Sequence, residues 1–257
     1  MERLSRIRND RFSSVCVLVL FSLLLSLPSY AKSPGDPVKS LEEAASEAIR
    51  KGVPCKRVEA QITLADGKTD ALKGLAVKFD WIVLGEMTAD HMSLVYENPV
   101  VDLARLKRSK ELTLSSYSKG KAGILISPEA IERYFKNKAA QIKKSYNKIS
   151  IKLAPPYIEC FFDVPASEIS PETLKLFDKF VKGSKLEGYA AFQIRAKNNE
   201  LHALCSKVIV NHFLVPELIL KELQTKFNPF DVIPVVKPFQ YTINAVTVQN
   251  KYIQMTN

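Results

Sequence analysis

Apolar and polar side chains alternate with a period of two over many short segments, and this alternation constrains the fold more than any other feature. Because successive side chains of a strand point to opposite faces, the pattern predicts half-buried strands. One segment places Leu75, Val77, Phe79, Trp81 and Val83 on one predicted face and Ala76, Lys78, Asp80, Ile82 and Leu84 on the other. Further predicted strands cover 56–64, 87–96, 112–126 with a break near Lys119, 157–164, 188–197, 201–210, 239–248 and 252–255.

Helices are predicted between these strands, and three of them start alike. Ser127-Pro128-Glu129, Ser170-Pro171-Glu172 and Val215-Pro216-Glu217 each place proline at a first helical position, where its missing N–H costs nothing. An earlier helix is predicted to start with Ser40 as its cap and Glu43 completing a capping box. The order of elements suggests an internal repeat, strand–strand–helix–strand–strand, over 111–164 and 188–255.

The helix predicted from Pro128 to Tyr146 has the clearest apolar stripe. Its members recur at helical spacing: Ile131, Tyr134, Phe135, Ala139, Ile142 and Tyr146. Antiparallel strands combined with few long helices predict an α+β domain in which a sheet packs its apolar face on helices.

The N-terminal segment 1–31 has the pattern of a secretory signal peptide. Four arginines precede the apolar segment 15–27, and Ser29-Tyr30-Ala31 ends it with small residues at the cleavage positions. The apolar segment is shorter than the roughly 20 residues that span a bilayer; the alternative is an uncleaved anchor. We therefore expect a linker over 32–39, a single domain over 40–257, and a periplasmic or secreted protein.

The net charge points to an anionic partner. The chain carries a formal charge of +10, which falls to +8 without residues 1–31. An exported protein does not normally meet nucleic acid, so the excess favours anionic lipid, a membrane surface or an anionic polymer. Simple solubility is the alternative reading of the same charge.

Three cysteines, Cys55, Cys160 and Cys205, follow the signal segment. An odd number excludes a fully paired disulfide framework. Two readings are open: a single bridge, with Cys160–Cys205 preferred because both lie on predicted strands, or three inert buried thiols.

Catalytic and metal-binding motifs are not found, so neither an enzyme nor a cofactor is predicted. His202 and Cys205 have the spacing of half a metal site, but residues three apart on a strand face opposite ways. His91 and Asp90 are neighbours in sequence only. A hydrolase with carboxylates distant in sequence is the least favoured reading.

The residue types instead favour binding of acyl chains between a curved sheet and a helix, with each buried methylene contributing roughly 0.8 kcal/mol. The candidate lipid-binding residues are Ile131, Phe135, Lys138, Ile142, Leu174, Phe177 and Val181. The apolar members could equally be ordinary core. Lys138 falls inside the apolar stripe, where an unpaired ammonium is unfavourable, so it either extends to solvent or meets an anionic head group.

Two segments carry a resemblance to a known family. NPFDVIPVVKPFQYTINAVTVQNKYIQMTN has the look of a helix, a proline-aromatic crossing and a closing Val-x-Val hairpin, and AGILISPEAIERYF looks like a strand followed by a Ser-x-Glu helix start. With the weaker match of Met92, Leu94, Val100 and Val101 leading into Leu112 and Leu114, the chain over 40–257 resembles the LmeA-like phospholipid-binding family. It departs from the pattern at Asn250-Lys251, where the family usually has glycine.

The resemblance implies a fold similar to the tubular lipid-binding proteins, a long curved antiparallel sheet wrapped around amphipathic helices. The implied function is binding or transfer of phospholipid in support of cell-envelope lipid maintenance, without catalytic residues. A structural or adaptor protein that binds another envelope protein or polymer is the alternative from a different class.

Overall fold

The computed structural model describes residues 36–67, 71–141, 148–168, 185–217, 220 and 235–257. Ser40–Asn257 form one compact unit. Three α-helices are described: α1 Pro37–Gly52, α2 Leu103–Ser109 and α3 Pro128–Gln141. None of the described helices is both long and apolar enough to cross a bilayer. The described strands are β1 Cys55–Leu64, β2 Leu72–Leu84, β3 Met87–Glu97, β4 Val100–Val101, β5 Leu114–Ser116, β6 Lys119–Ile126, β7 Lys148–Ala154, β8 Tyr157–Pro165, β9 Lys185–Lys197, β10 Glu200–Val210, β11 Phe213–Leu214, β12 Ala245–Val248 and β13 Ile253–Thr256.

The strands form two large antiparallel sheets. The first sheet has the order β1-β2-β3-β6-β13-β12, and the second has the order β11-β10-β9-β8-β7. Strands β4 and β5 form a small separate pair beside α2. The predicted α+β class with mostly antiparallel sheets is therefore confirmed.

A helix covers one edge strand of each sheet. On α1, Glu42 Oε1 accepts a hydrogen bond from the backbone N–H of Ile62 in β1 at 3.0 Å. On α3, Glu132 Oε1 accepts one from the N–H of Ile151 in β7 at 2.8 Å. Unpaired edge N–H groups invite pairing with another chain, and each glutamate satisfies one such group on its edge strand.

The two large sheets share one order of elements. In each, a helix that starts with proline is followed by four strands that pair in chain order: α1 by β1, β2, β3 and β6, and α3 by β7, β8, β9 and β10. The helices begin at Pro37 and Pro128, about 90 residues apart. Another helix begins with proline at Pro216, since Leu220 N–H donates to Pro216 O at 3.1 Å. Strands β12 and β13 come after it. The element order predicted over 111–164 and 188–255, strand–strand–helix–strand–strand, is also present. The first segment contains β5, β6, α3, β7 and β8, and the second contains β9, β10, the short β11, the helical start at Pro216, β12 and β13. The helix predicted at Ser170 lies outside the described residues.

Burial follows the predicted alternation in most strands. In β8, for example, Ile158, Cys160 and Val164 are buried on one face, as expected. The β9–β10 turn forms at Asn198 and Asn199, both with positive φ, also as expected. The side chain of Asn199 then fixes the segment before β12, because its Oδ1 accepts from Ile243 N at 2.6 Å.

Strand β2 departs from its predicted alternation. Its odd-numbered residues are buried from Leu75 to Phe79, as predicted, but Ile82 and Leu84 are buried beyond that point. Trp81 and Val83, predicted to share a face with Leu75, Val77 and Phe79, are 43% and 42% exposed. The prediction failed because it carried a single two-residue period across all of β2.

The boundaries of one predicted helix, one linker and one strand also differ from prediction. Helix α1 starts before Ser40, at Pro37, and Asp36 Oδ1 accepts from Val38 N at 2.9 Å, so Asp36 is its cap. Residues 37–39 are thus helical rather than linker. The strand predicted over 239–248 is shorter, because β12 begins only at Ala245.

The preferred Cys160–Cys205 bridge is not formed. All three described cysteines are free. Cys160 lies on β8 and Cys205 on β10, and β9 runs between these strands. Two strand spacings separate residues by roughly 9–10 Å, whereas a disulfide needs Cα atoms closer than about 7 Å.

Candidate functional site

The predicted lipid-binding stripe is described only at its start. Ile131 is fully buried on α3, and Phe135 is half-buried with its ring 5.5 Å from that of Tyr134. Helix α3 packs against β3 of the first sheet and β7 of the second. Lys138 belongs to α3, but its side chain lies outside the described part of the chain, as do Ile142, Leu174, Phe177 and Val181 altogether.

A second group of residues, which the sequence did not predict, surrounds Trp81. This residue has φ = 53° in the middle of β2. The left-handed region is unfavourable for a bulky side chain, since Cβ approaches the following carbonyl oxygen. Strand pairing is interrupted at the same residue. Asp80 and Ile82 each pair with both β1 and β3, whereas Trp81 pairs with neither strand. The backbone is therefore locally strained where the indole becomes exposed.

Two cations lie against the indole. The guanidinium carbon of Arg133, on α3, is 4.3 Å from the Trp81 ring centroid, and Lys56 Nζ, on β1, is 5.9 Å from it. A cation over an aromatic face contributes about 0.5–1 kcal/mol at an exposed site. Three separate elements thus supply one aromatic ring and two positive charges.

Asp90 connects this group to the start of α3. Its Oδ2 accepts a hydrogen bond from Ser127 N at 2.6 Å, and Ser127 Oγ in turn accepts from Ala130 N at 3.2 Å as the helix cap. Asp90 Oδ1 is 4.0 Å from Arg133 Nη2, longer than a hydrogen bond. Asp90 therefore fixes the helix end that presents Arg133 to the indole.

The neighbouring carboxylate, Asp80, is engaged elsewhere. Its Oδ1 lies 2.8 Å from His91 Nδ1 across the β2–β3 pair. His91 thus contacts Asp80 and not its sequence neighbour Asp90. Val83 lies two positions beyond Trp81 and is comparably exposed. We call Trp81, Val83, Lys56 and Arg133 the Trp81 surface.

Burial raises the pKa of each of the three described cysteines, Cys55, Cys160 and Cys205. Burial, with a smaller contribution from the Glu132 carboxylate, raises the pKa of Cys160 to about 12. Thiols with raised pKa values stay protonated near neutral pH, and the thiolate is the reactive form.

His202 and Cys205 point to opposite faces of β10, as predicted from their spacing. Cys205 packs against buried residues of the second sheet. His202 is exposed, and its Nε2 lies 3.6 Å from Glu200 Oε2. Within the described ranges no group of three or more His, Cys, Asp and Glu side chains could hold a metal ion.

Comparison of the chain with protein-family models, with curated protein sequences and with solved structures finds no match. The LmeA-like resemblance and the tubular lipid-binding fold therefore stay predictions. The exposed indole with two cations close to its ring is then the feature from which a function can be inferred. Sequence reasoning missed it, although the apolar pair Ile82 and Leu84 marks the change of phase in β2.

Proposed function

We propose that the protein is an exported, non-enzymatic phospholipid-binding or lipid-transfer protein that meets an anionic membrane surface through the Trp81 surface. The observation that carries this proposal is an exposed tryptophan in a strained backbone conformation, with a lysine and an arginine close to its ring. The export signal over 1–31 is part of the same proposal.

The residue types suit the boundary between lipid and water. An indole has an apolar body and a polar N–H, and tryptophan is enriched at the level of lipid head groups. Each lysine or arginine close to an anionic leaflet contributes about 1 kcal/mol of attraction. Val83 would add apolar contact beside Trp81. The net charge of +8 without residues 1–31 favours the approach to such a surface at long range.

The finer proposal places an acyl chain against α3, in an arrangement similar to the tubular lipid-binding proteins. It is supported by the position of α3, which packs against a strand from each large sheet. Ile131 and Phe135 would contact the chain from the helix, with Lys138, Ile142, Leu174, Phe177 and Val181 as the further predicted contacts. Bound lipid should then be recovered with the protein purified from the cell envelope, at about one per chain by native mass spectrometry.

The chain has a single tryptophan, so intrinsic fluorescence reports on this surface alone. Vesicles of phosphatidylcholine with phosphatidylglycerol should shift Trp81 emission to the blue, and brominated lipid should quench it. Vesicles of phosphatidylcholine alone should have a much smaller effect, and added salt should reverse the binding because it screens surface charge.

Vesicle sedimentation of variants tests the location. Trp81→Ala should lower binding, whereas Tyr157→Ala, which removes an aromatic ring of similar exposure (37%) from the second sheet, should not. Equal binding of the Trp81→Ala variant and the unchanged protein would place membrane contact elsewhere. Failure of the unchanged protein to bind any vesicle would contradict the proposed function itself.

One observation favours the adaptor alternative. Phe161, Tyr189, Ile209 and Leu214 are register neighbours across four strands of the second sheet, and Phe161 and Leu214 are 38% and 63% exposed. Exposed apolar rows are typical of protein interaction sites. Protein purified without lipid, combined with loss of partner recovery in a Leu214→Ser variant, would favour that alternative.

A further inference from the structure

The second sheet has an apolar row on the face opposite its buried cluster of Leu186, Val208 and Val210, and we call this face the outer face. The row lies at one register level and crosses β8, β9, β10 and β11 in that order: Phe161, Tyr189, Ile209 and Leu214. The residues at its two ends are 38% and 63% exposed. The two aromatic rings lie 5.2 Å apart and form one patch. An exposed row of this kind marks the outer face as an interaction surface.

Charged side chains of both signs flank the row. They are Lys148, Asp163, Lys185 and Glu187 on one side and Lys152, Glu159 and Lys207 on the other. Four lysines against three carboxylates leave this face almost neutral, and Lys185 forms ion pairs with both Asp163 and Glu187. An anionic membrane attracts a clear positive excess, so the outer face suits a protein surface of mixed charge better than a membrane.

The strand order makes the outer face complementary to a second copy of itself. Strand β9 lies at the centre of the five strands. A two-fold axis parallel to β9 and above Tyr189 packs the two faces with their strands aligned, and it places β8 of each copy over β10 of the other. Because Phe161 and Ile209 are both register partners of Tyr189, Phe161 of each copy then contacts Ile209 of the other.

The same axis brings opposite charges together. Glu159 on β8 and Lys207 on β10 are both register partners of Ala191 on β9, so Glu159 of each copy lies over Lys207 of the other. Within the described part of the chain Lys207 Nζ lies 5.9 Å from the Tyr189 ring centroid and has no carboxylate partner. A symmetric contact would supply that carboxylate twice, once at each end of the interface.

The outer face is also large enough for a dimer. Its five strands span roughly 19 Å and the nine residues of β8 span roughly 30 Å, which gives roughly 600 Å² per copy in projection. A specific dimer buries about 800 Å² of accessible surface per partner, and the relief of side chains makes the accessible area of a face larger than its projection.

We propose that two copies of the chain form a symmetric dimer through the outer face of the second sheet. The apolar row supplies the buried centre of the contact, and the Glu159–Lys207 pairs fix its register. The contact uses none of the residues of the Trp81 surface, so it goes beyond the proposed function and does not depend on it.

Sedimentation velocity of the purified protein between about 1 and 100 µM measures the dimer. Lys207→Glu places two glutamates opposite each other in both pairs, so it should weaken the dimer at least roughly tenfold. Glu159→Lys should do the same with two lysines. Mixed in equal amounts, the two variants should form a heterodimer close to the original affinity, because each pair again has one charge of each sign. Lys121→Glu, at an exposed lysine of β6 in the first sheet, is the control and should leave the dimer unchanged.

Each other result overturns the dimer. Unchanged protein that stays monomeric at about 100 µM does not form it. A dimer that neither charge variant weakens uses another face, and a mixture that does not regain the dimer contradicts the pairing of Glu159 with Lys207. Loss of vesicle binding in a Leu214→Asp variant of a monomeric protein would assign the outer face to the membrane instead.

Discussion

Replacing Trp81 by glycine should give a more stable protein than replacing it by alanine, which reverses the usual order for a strand. Both variants delete the indole and its contacts with Arg133 and Lys56, so the difference between them isolates the backbone. At φ = 53°, alanine carries the left-handed penalty of about 1–2 kcal/mol, and glycine does not. The glycine variant loses about 0.5–1 kcal/mol of stability relative to alanine, because its unfolded chain has more conformational freedom. The expected net advantage of glycine is about 1 kcal/mol.

Urea unfolding at neutral pH measures this difference, provided that both variants unfold in one transition with similar dependence on denaturant. Val83 supplies the control, because it is comparably exposed on the same strand and is not among the residues with positive φ. There Val83→Ala should be more stable than Val83→Gly by about 0.5–1 kcal/mol. If alanine is also the more stable substitution at position 81, the backbone at Trp81 is not strained, and the reasoning fails.

Two further predictions concern the second sheet. Gly188→Ala should destabilise the fold by about 1–3 kcal/mol, because the new Cβ would lie 2.0 Å from the Phe162 ring. Adding Phe162→Leu to the same chain should restore part of the lost stability. Gly52→Ala is the control: no atom lies within 4 Å of its new Cβ, so it should cause no loss of stability. A loss no larger than that of Gly52→Ala would show that the ring does not occupy this space. Between about pH 9 and 12 the unfolded chain releases the Cys160 proton while the folded chain retains it, so stability should fall as the pH rises, by about 1.4 kcal/mol per pH unit from this group. Cys160→Val should therefore make alkaline unfolding less steep, and an unchanged pH profile would contradict the burial of a neutral thiol.

Local sequence patterns predicted the strands well where one period holds throughout. In β8, Ile158, Cys160 and Val164 are buried on one face, as a period of two residues predicts. In β2 the same rule gave the wrong face beyond Asp80. The reversal depends on a backbone conformation at Trp81 that no propensity of tryptophan favours, so a period-based prediction could not include it.

Relations between distant segments were less accessible. The choice of Cys160 and Cys205 as a disulfide pair used their placement on strands, but the order of strands decides the distance, and β9 separates them. The Trp81 surface likewise joins β1, β2 and α3, whose residues are far apart in the chain. Sequence spacing alone carries no information on such contacts until the sheet order is known.

Trp81 is also exceptional among the described residues that have positive φ. The other non-glycine cases are asparagines, a histidine and a helix-terminal lysine: Asn98, Asn198, Asn199, Asn211, His212 and Lys110. Asparagine tolerates this conformation in turns, and Lys110 ends α2 in the usual left-handed cap. Trp81 instead lies within a strand and exposes a large apolar ring, and both features disfavour folding. Positions that break local rules in this way tend to occur at functional sites. A glycine at this position would relieve the backbone strain, so an indole here fits the proposed contact of Trp81 with a membrane surface.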